Sequence, residues 1–78
     1  MSIANAIAKL NELKEDSMTP KNLKEKLQSI VVILQSDEEK SIKINKALDI
    51  LDAISNENNI QPYIRTQIWN IASMLEAI

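Results

Sequence analysis

The sequence predicts an all-α fold, an antiparallel four-helix bundle, from three observations. Apolar residues recur three and four positions apart in four separate segments, which is the spacing of one helix face. No segment alternates apolar with polar residues, and the chain has no glycine for the tight turns that β-hairpins favour. Only a few polar residues join the segments, so successive helices fold back on one another. A chain of 78 residues has room for one modest core, and we expect residues 1–78 to form a single domain.

The first helix is predicted over about residues 2–15, and the second is predicted to open at Thr19 and Pro20. Threonine can cap a helix by accepting a hydrogen bond from a backbone N–H, and proline suits the first helical position. The second helix should end near Gln35. The buried faces of these two helices are expected to consist of Ile3, Ala6, Ile7, Leu10, Leu13, Leu23, Leu27, Ile30, Val31 and Leu34.

The third helix is predicted to open at residues 36–39, Ser-Asp-Glu-Glu, where serine and glutamate three positions apart can form a capping box. The polar residues 55–59 should break it. The fourth helix is predicted from about Pro62, because a residue that precedes proline, here Gln61, is held out of the helical conformation. The buried faces of these helices are expected to consist of Ile44, Ala47, Leu48, Leu51 and Ile54, and of Ile64, Ile68, Ile71, Leu75 and Ile78.

The two halves of the chain repeat each other at a spacing of 41 residues, although Pro20 and Pro62 differ from this register by one. A duplicated helical hairpin would produce such a repeat, and so would two unrelated amphipathic hairpins of similar length. Both interpretations are compatible with a four-helix bundle. The corresponding apolar residues are Ile7, Leu10, Leu13, Leu23, Leu27, Ile30 and Leu34 in the first half and Leu48, Leu51, Ile54, Ile64, Ile68, Ile71 and Leu75 in the second.

The absence of glycine, cysteine and histidine argues against several classes of function. Phosphate-binding loops need glycine so that the backbone can approach the ligand closely. Without histidine or cysteine the chain has no imidazole base, no thiolate nucleophile and no zinc site of the ordinary type. We therefore predict that the protein is not an enzyme and binds no cofactor. The lack of cysteine suits a reducing cytoplasm, and the uncharged stretches are too short to span a bilayer, so we expect a cytoplasmic protein without a membrane partner.

The charge balance does not predict nucleic-acid binding. The formal net charge is −2 and the isoelectric point is near 5.0, whereas a nucleic-acid surface requires an excess of positive charge. Lys21, Lys24 and Lys26 make one basic stretch on the second helix. We interpret this stretch as an ordinary solvated helix face.

The fourth helix carries the leading candidate for a partner surface. Arg65, Trp69, Ala72 and Glu76 are predicted to share a flank roughly 100° from the buried stripe. Tryptophan and arginine are enriched in binding hot spots, and the Arg65 guanidinium, one turn before Trp69, can lie on the indole face. We therefore expect this flank to bind a protein, either a different chain or a second copy in a homodimer.

Two alternatives stay open. In the first, Trp69 is wedged between helices as a core residue, and Arg65 pairs with Asp49 or Asp52. In the second, Asp49 and Asp52, three apart on the third helix, form a divalent-metal or small-ligand site to which Glu76 could contribute. No third ligand or neighbouring base follows from the spacing, so the prediction assigns no metal ligands.

Two segments of the second half resemble a family of small, functionally uncharacterised archaeal proteins. Residues 51–56, Leu-Asp-Ala-Ile-Ser-Asn, and residues 65–71, Arg-Thr-Gln-Ile-Trp-Asn-Ile, carry the resemblance, together with a proline that opens helices 2 and 4. The resemblance implies an antiparallel four-helix bundle, either up-and-down or in the mirror topology of bromodomain-like folds, and it implies no activity. It also draws attention to Asp52 and Asn70 as structural polar residues.

Overall fold

The computed structural model describes residues 2–78, and these residues form four α-helices and no strand. Helix α1 spans Ile3–Glu15, α2 spans Lys21–Leu34, α3 spans Lys40–Ser55 and α4 spans Pro62–Glu76. The predicted all-α fold is confirmed. In the described part of the chain, no helix has both the length and the apolar character needed to cross a bilayer.

The helices form a closed four-membered arrangement in which α1 packs on α2, α2 on α3, α3 on α4 and α4 on α1. Tyr63 at the start of α4 donates a hydrogen bond to Asp16 just after α1, with 3.3 Å between Oη and Oδ2. Lys26 in the first half of α2 pairs with Glu57 just after α3. Both contacts require neighbouring helices to run in opposite directions, so the bundle is antiparallel, with extents of 32 × 19 × 19 Å.

The core consists of the residues that the helical spacing places on the buried faces. Half-buried side chains that were also predicted, such as Ile3, Ile7, Ile44, Leu48 and Ile78, pack against its edge. Because the apolar stripes of all four helices meet at the centre, one continuous cluster holds the bundle together. Its buried members are Ala6, Leu10, Leu13, Leu23, Leu27, Ile30, Val31, Leu34, Ala47, Leu51, Ile54, Ile64, Ile68, Ile71 and Leu75.

The 41-residue repeat relates residues of equal burial. Ile7 and its counterpart Leu48 are both half-buried, and both members of each of the other six pairs are buried. The hairpin of α1 and α2 therefore has the same inward face as the hairpin of α3 and α4. The outward faces of the two hairpins can be compared position by position in the same register.

The predicted cap of α2 is wrong. The helix begins at Lys21, with Pro20 as the residue before it, and no side chain caps its first turn. The Thr19 hydroxyl instead donates to the backbone carbonyl of Leu13, with 2.7 Å between Oγ1 and O. The last carbonyls of a helix lack partners within the helix, so the buried Thr19 completes the end of α1.

The capping box predicted for α3 is also wrong, for the same reason. The helix begins at Lys40, after Glu39, and the Ser36 hydroxyl donates to the carbonyl of Ile33 at the end of α2, at 2.7 Å. Thr19 and Ser36 thus each donate to a carbonyl at the end of the helix that precedes them. The start of α4 at Pro62 agrees with the prediction.

Replacing Thr19 by valine is expected to lower the free energy of unfolding by about 1–2 kcal/mol, because valine keeps the shape but removes the buried donor to Leu13. Urea denaturation followed by circular dichroism measures the loss. Thr66→Val is the matched control, since the exposed Thr66 hydroxyl donates to Pro62 within its own helix. Equal losses in the two variants would contradict the role assigned to Thr19.

Candidate functional site

The candidate site is a groove of about 280 Å³ between α3 and α4, on the outside of the second hairpin. We call it the α3–α4 groove. It brings together residues that the sequence analysis treated as two separate candidates, the tryptophan flank of the fourth helix and the carboxylates of the third. Its lining residues are Leu48, Asp49, Leu51, Asp52, Ser55, Ile68, Trp69, Ala72 and Glu76.

Trp69 forms one wall of the α3–α4 groove and has 56% of its surface exposed. The alternative in which this side chain is wedged into the core is therefore wrong. Ile68 and Ile71, on either side of Trp69 in sequence, are the residues of this turn that face the core. Trp69 follows Ile68 by about 100° around the helix, which places its indole outside the bundle beside α3.

Arg65 bridges the two helices at one end of the second hairpin. Its Nε donates to the carbonyl of Ser55 at 3.1 Å, and its Nη2 donates to the carbonyl of Glu57 at 2.7 Å. These carbonyls lie at the C-terminal end of α3, where the helix dipole is negative and backbone acceptors lack partners within the helix. In residues 2–78 no ion pair joins Arg65 to Asp49 or Asp52. The alternative that placed Trp69 in the core also paired Arg65 with one of these aspartates, and that pairing is wrong as well.

Three carboxylates line the α3–α4 groove, those of Asp49, Asp52 and Glu76. All three are exposed, and none takes part in an ion pair within the described chain. They are spread along the groove rather than gathered around one point. In residues 2–78 no three acidic side chains are close enough together to hold a metal ion. The geometry does not support a divalent-cation site here.

The α3–α4 groove continues toward the other end of the second hairpin as a wider depression of about 540 Å³. The two depressions share Leu48 and Glu76 as lining residues, so they adjoin along α3 and α4, and together we call them the channel. Because α3 has 16 residues, this channel is at most about 24 Å long. The added lining residues are Glu39, Lys40, Ser41, Ile44, Asn45, Leu75 and Ile78.

The remaining predicted site residues occupy different positions. Ala72 is half-buried in the groove wall, while Asn70 is exposed on α4 and is not among the lining residues. The backbone carbonyl of Asp52 accepts a hydrogen bond from the Ser55 hydroxyl at 2.9 Å, whereas its carboxylate lines the groove. A structural role for Asn70 stays a prediction.

Leu48 and Ser55 were missed as lining residues by the sequence analysis. With Asp52 they follow a spacing of four and three along α3, which is one helical face. This spacing is visible in the sequence and could have placed the three residues on one face of α3. The sequence could not show that α4, with Trp69, lies along this face.

The first hairpin offers an internal comparison for the α3–α4 groove. Lys14 donates a hydrogen bond to Gln28 across α1 and α2, and the corresponding residues of the second hairpin are Ser55 and Trp69. The six compared positions of the first hairpin hold one lysine and no carboxylate, whereas those of the second hold three carboxylates and an exposed indole. In order, Asp49, Asp52, Ser55, Trp69, Ala72 and Glu76 correspond to Ala8, Asn11, Lys14, Gln28, Val31 and Gln35.

Known proteins share both the sequence and the fold. Residues 1–78 match a family described as "Uncharacterised protein family (UPF0147)". Proteins named UPF0147 protein from Methanothermobacter thermautotrophicus and Methanocaldococcus jannaschii are each 36% identical over 70 residues, which cover 88% of this chain and 69% and 75% of theirs. A solved structure, "Crystal structure of unknown function protein MMP1188", is 32% identical, with a TM-score of 0.89 over 97% of this chain and 88% of the other. The resemblance noted from the sequence motifs is confirmed.

Proposed function

We propose that this chain, which belongs to the UPF0147 family, is a non-catalytic module that binds a partner protein through the α3–α4 groove. The family is uncharacterised, so no activity can be carried over from its members, and the proposal rests on the surface of the chain itself. The observation that carries the proposal is the exposed Trp69 indole in the groove wall. Tryptophan is enriched in binding hot spots because one side chain contributes a large apolar area at a small cost in conformational entropy.

The apolar surface around Trp69 supports a binding role. Leu48 and Ala72 are half-buried and line the same groove, so a partner could cover them together with the indole. Removing apolar area from water contributes about 25 cal/mol per Å² before the costs of association are subtracted. Other exposed apolar residues, such as Val32, Ile42 and Tyr63, are not among the residues of the groove, and single residues of this kind are common on protein surfaces.

The polar groups of the groove favour binding over chemistry. Ser55 is the hydroxyl residue that lines it, and this hydroxyl donates to the backbone carbonyl of Asp52 rather than to a base. A serine nucleophile needs a base within hydrogen-bond reach to take its proton. The carboxylates of Asp49 and Asp52 are exposed, whereas a catalytic carboxyl needs surroundings that tune it for proton transfer.

The Trp69→Gln variant tests the proposal, because glutamine is the residue at the corresponding position of the first hairpin. We expect it to change the free energy of unfolding by less than about 0.5 kcal/mol, as is usual for an exposed position. In affinity capture from an extract of the cells that make the protein, we expect at least one partner to be retained about tenfold less by this variant than by the unaltered protein. Quantitative mass spectrometry measures the retained amounts.

Tyr63→Gln is the matched control, since Tyr63 is a second aromatic residue of α4, 51% exposed and outside the groove. It should retain the same partner as the unaltered protein. The proposal fails when Trp69→Gln, with its helix content intact, retains the same proteins in the same amounts. Light scattering extends the test to a second copy, because a dimer that Trp69→Gln dissociates would also use the groove.

A further inference from the structure

The α3–α4 groove combines an apolar floor with a row of carboxylates that have no ion-pair partners. We propose that its occupant is a basic amphipathic helix of a different protein, an inference that rests on the proposed interaction function and names the chemistry of the partner. A helix of this kind would place its apolar face on Trp69, Leu48 and Ala72 and its lysine or arginine side chains beside the carboxylates.

The residues that line the α3–α4 groove carry a net negative charge. Two other acids of the bundle, Glu38 and Glu57, pair with Lys46 and Lys26. The carboxylates of Asp49, Asp52 and Glu76 have no such partner within residues 2–78. Unpaired like charges around a concave surface attract ligands of the opposite sign and reject those of the same sign.

A cation lies at each end of this row. Arg65 is at one end, where its guanidinium donates to the carbonyls that follow α3, and Lys40 lines the far end of the channel. Between them the lining residues include Asp49, Asp52 and Glu76 and no lysine or arginine. The middle of the channel is therefore the region that accepts positive charge.

The fold does not require these carboxylates, as the first hairpin shows. Its buried residues correspond to those of the second hairpin at the 41-residue spacing. The three positions that correspond to the carboxylates hold Ala8, Asn11 and Gln35, and none of these is acidic. Its Lys14 instead contacts Gln28 across the two helices. The acidic row is thus a property of the outer surface of the second hairpin and not of its packing.

The shape of the channel favours a helix as the occupant. It is open and at most about 24 Å long, the length of roughly 16 residues of helix. Ala72, a small half-buried residue of the wall opposite α3, stands where the first hairpin has the larger, buried Val31. Helices that bind grooves of this kind use apolar residues three and four positions apart, which would meet the apolar floor along its length.

A second copy of this chain is a poorer match than a different protein. The basic stretch of α2 contains Lys21, Lys24 and Lys26, but Glu25 lies among them and Lys26 is already paired with Glu57. Contact between α2 of one copy and the α3–α4 groove of the next would join two different surfaces. Such contacts form rings or open chains rather than a closed dimer.

The test uses Trp69, the single tryptophan, as a fluorescent probe in the full-length protein. Two capped peptides of 14 residues with the same amphipathic pattern are titrated, one built from leucine and lysine and the other from leucine and glutamate. We expect the lysine peptide to shift the Trp69 emission and to bind at least about tenfold more tightly than the glutamate peptide. Its affinity should fall as the salt concentration is raised from about 0.05 M to about 0.3 M.

The variant Asp49→Ala with Asp52→Asn installs the residues of the first hairpin and should weaken binding of the lysine peptide by about tenfold. Glu15→Gln with Glu25→Gln is the matched control, because it changes the net charge equally at exposed positions of α1 and α2. This control should change the affinity less than about twofold. An equal loss in both double variants overturns the inference, since the attraction would then follow net charge alone.

Failure of this inference and failure of the proposed function give different results. When a captured partner depends on Trp69 but its bound segment is acidic or neutral, the basic helix is wrong and the interaction function stands. When the protein forms a dimer that Trp69→Gln abolishes, the occupant of the groove is a second copy. The basic helix is then also wrong, and the interaction function stands. When capture is independent of Trp69, the proposed function itself is wrong.

Discussion

Truncating Ile68 to alanine is expected to lower the free energy of unfolding by about 2–5 kcal/mol. Ile68 is fully buried where the stripes of the four helices meet. Its removal loses the apolar contacts and leaves a cavity that the tightly packed neighbours fill only in part. A domain of 78 residues has a total stability of roughly 4–12 kcal/mol, so this single change could leave a large part of the population unfolded.

Leu27→Ala is expected to have a cost in the same range, because Leu27 is the counterpart of Ile68 in the first hairpin and is equally buried. Urea denaturation followed by circular dichroism compares the two variants. Val32→Ala serves as the control, since Val32 is exposed and its truncation should cost less than about 0.5 kcal/mol. A loss below about 1 kcal/mol for Ile68→Ala would show that this position is not packed as the structure places it.

Replacing Arg65 by alanine is expected to lower the free energy of unfolding by about 1.5–3 kcal/mol. The change removes two donors, Nε to Ser55 and Nη2 to Glu57, and leaves both carbonyls at the end of α3 without the guanidinium. Since Arg65 is half-buried, water can replace it only in part. The same chemical denaturation, with helix content measured at each point, gives the loss.

Two further variants separate this bridge from a general effect of charge. Lys24→Ala removes a half-buried cation at the position of the first hairpin that corresponds to Arg65. It should lower the free energy of unfolding clearly less than Arg65→Ala does. Arg65→Lys keeps the charge but not the planar fork of donors, so we expect only partial recovery. Full recovery with lysine would contradict a role that depends on two simultaneous hydrogen bonds.

The bridge made by Arg65 also affects how the interaction surface is tested. Helical spacing places Arg65 with Trp69, Ala72 and Glu76 on one flank, and the binding role of this flank stays a prediction. Because Arg65 ties α4 to the end of α3, we expect its substitution to lower the stability of the protein, and this loss would obscure an effect on binding. Trp69 is the cleaner probe, since its side chain is exposed.

The four helices and their buried faces were predictable because both depend on local patterns. Every residue of the buried cluster lies on a stripe that the helical spacing predicts. The caps were less predictable: Thr19 and Ser36 can serve either the helix before them or the helix after them, and both complete the earlier one. A hydroxyl near a helix boundary is compatible with either use, and the path of the connecting segment selects between them.

The sequence by itself determined the fold class, because the periodic burial of aliphatic side chains dominates the free energy of folding and appears directly as residue spacing. It also located Trp69 on a flank away from the main stripe. The tertiary structure alone decided that α3 lies beside that flank, so that Asp49, Asp52 and Trp69 share one groove while Arg65 reaches the end of α3. Helical spacing determines the angle of a residue about its own helix axis, whereas the neighbour at that angle depends on how all four helices pack together.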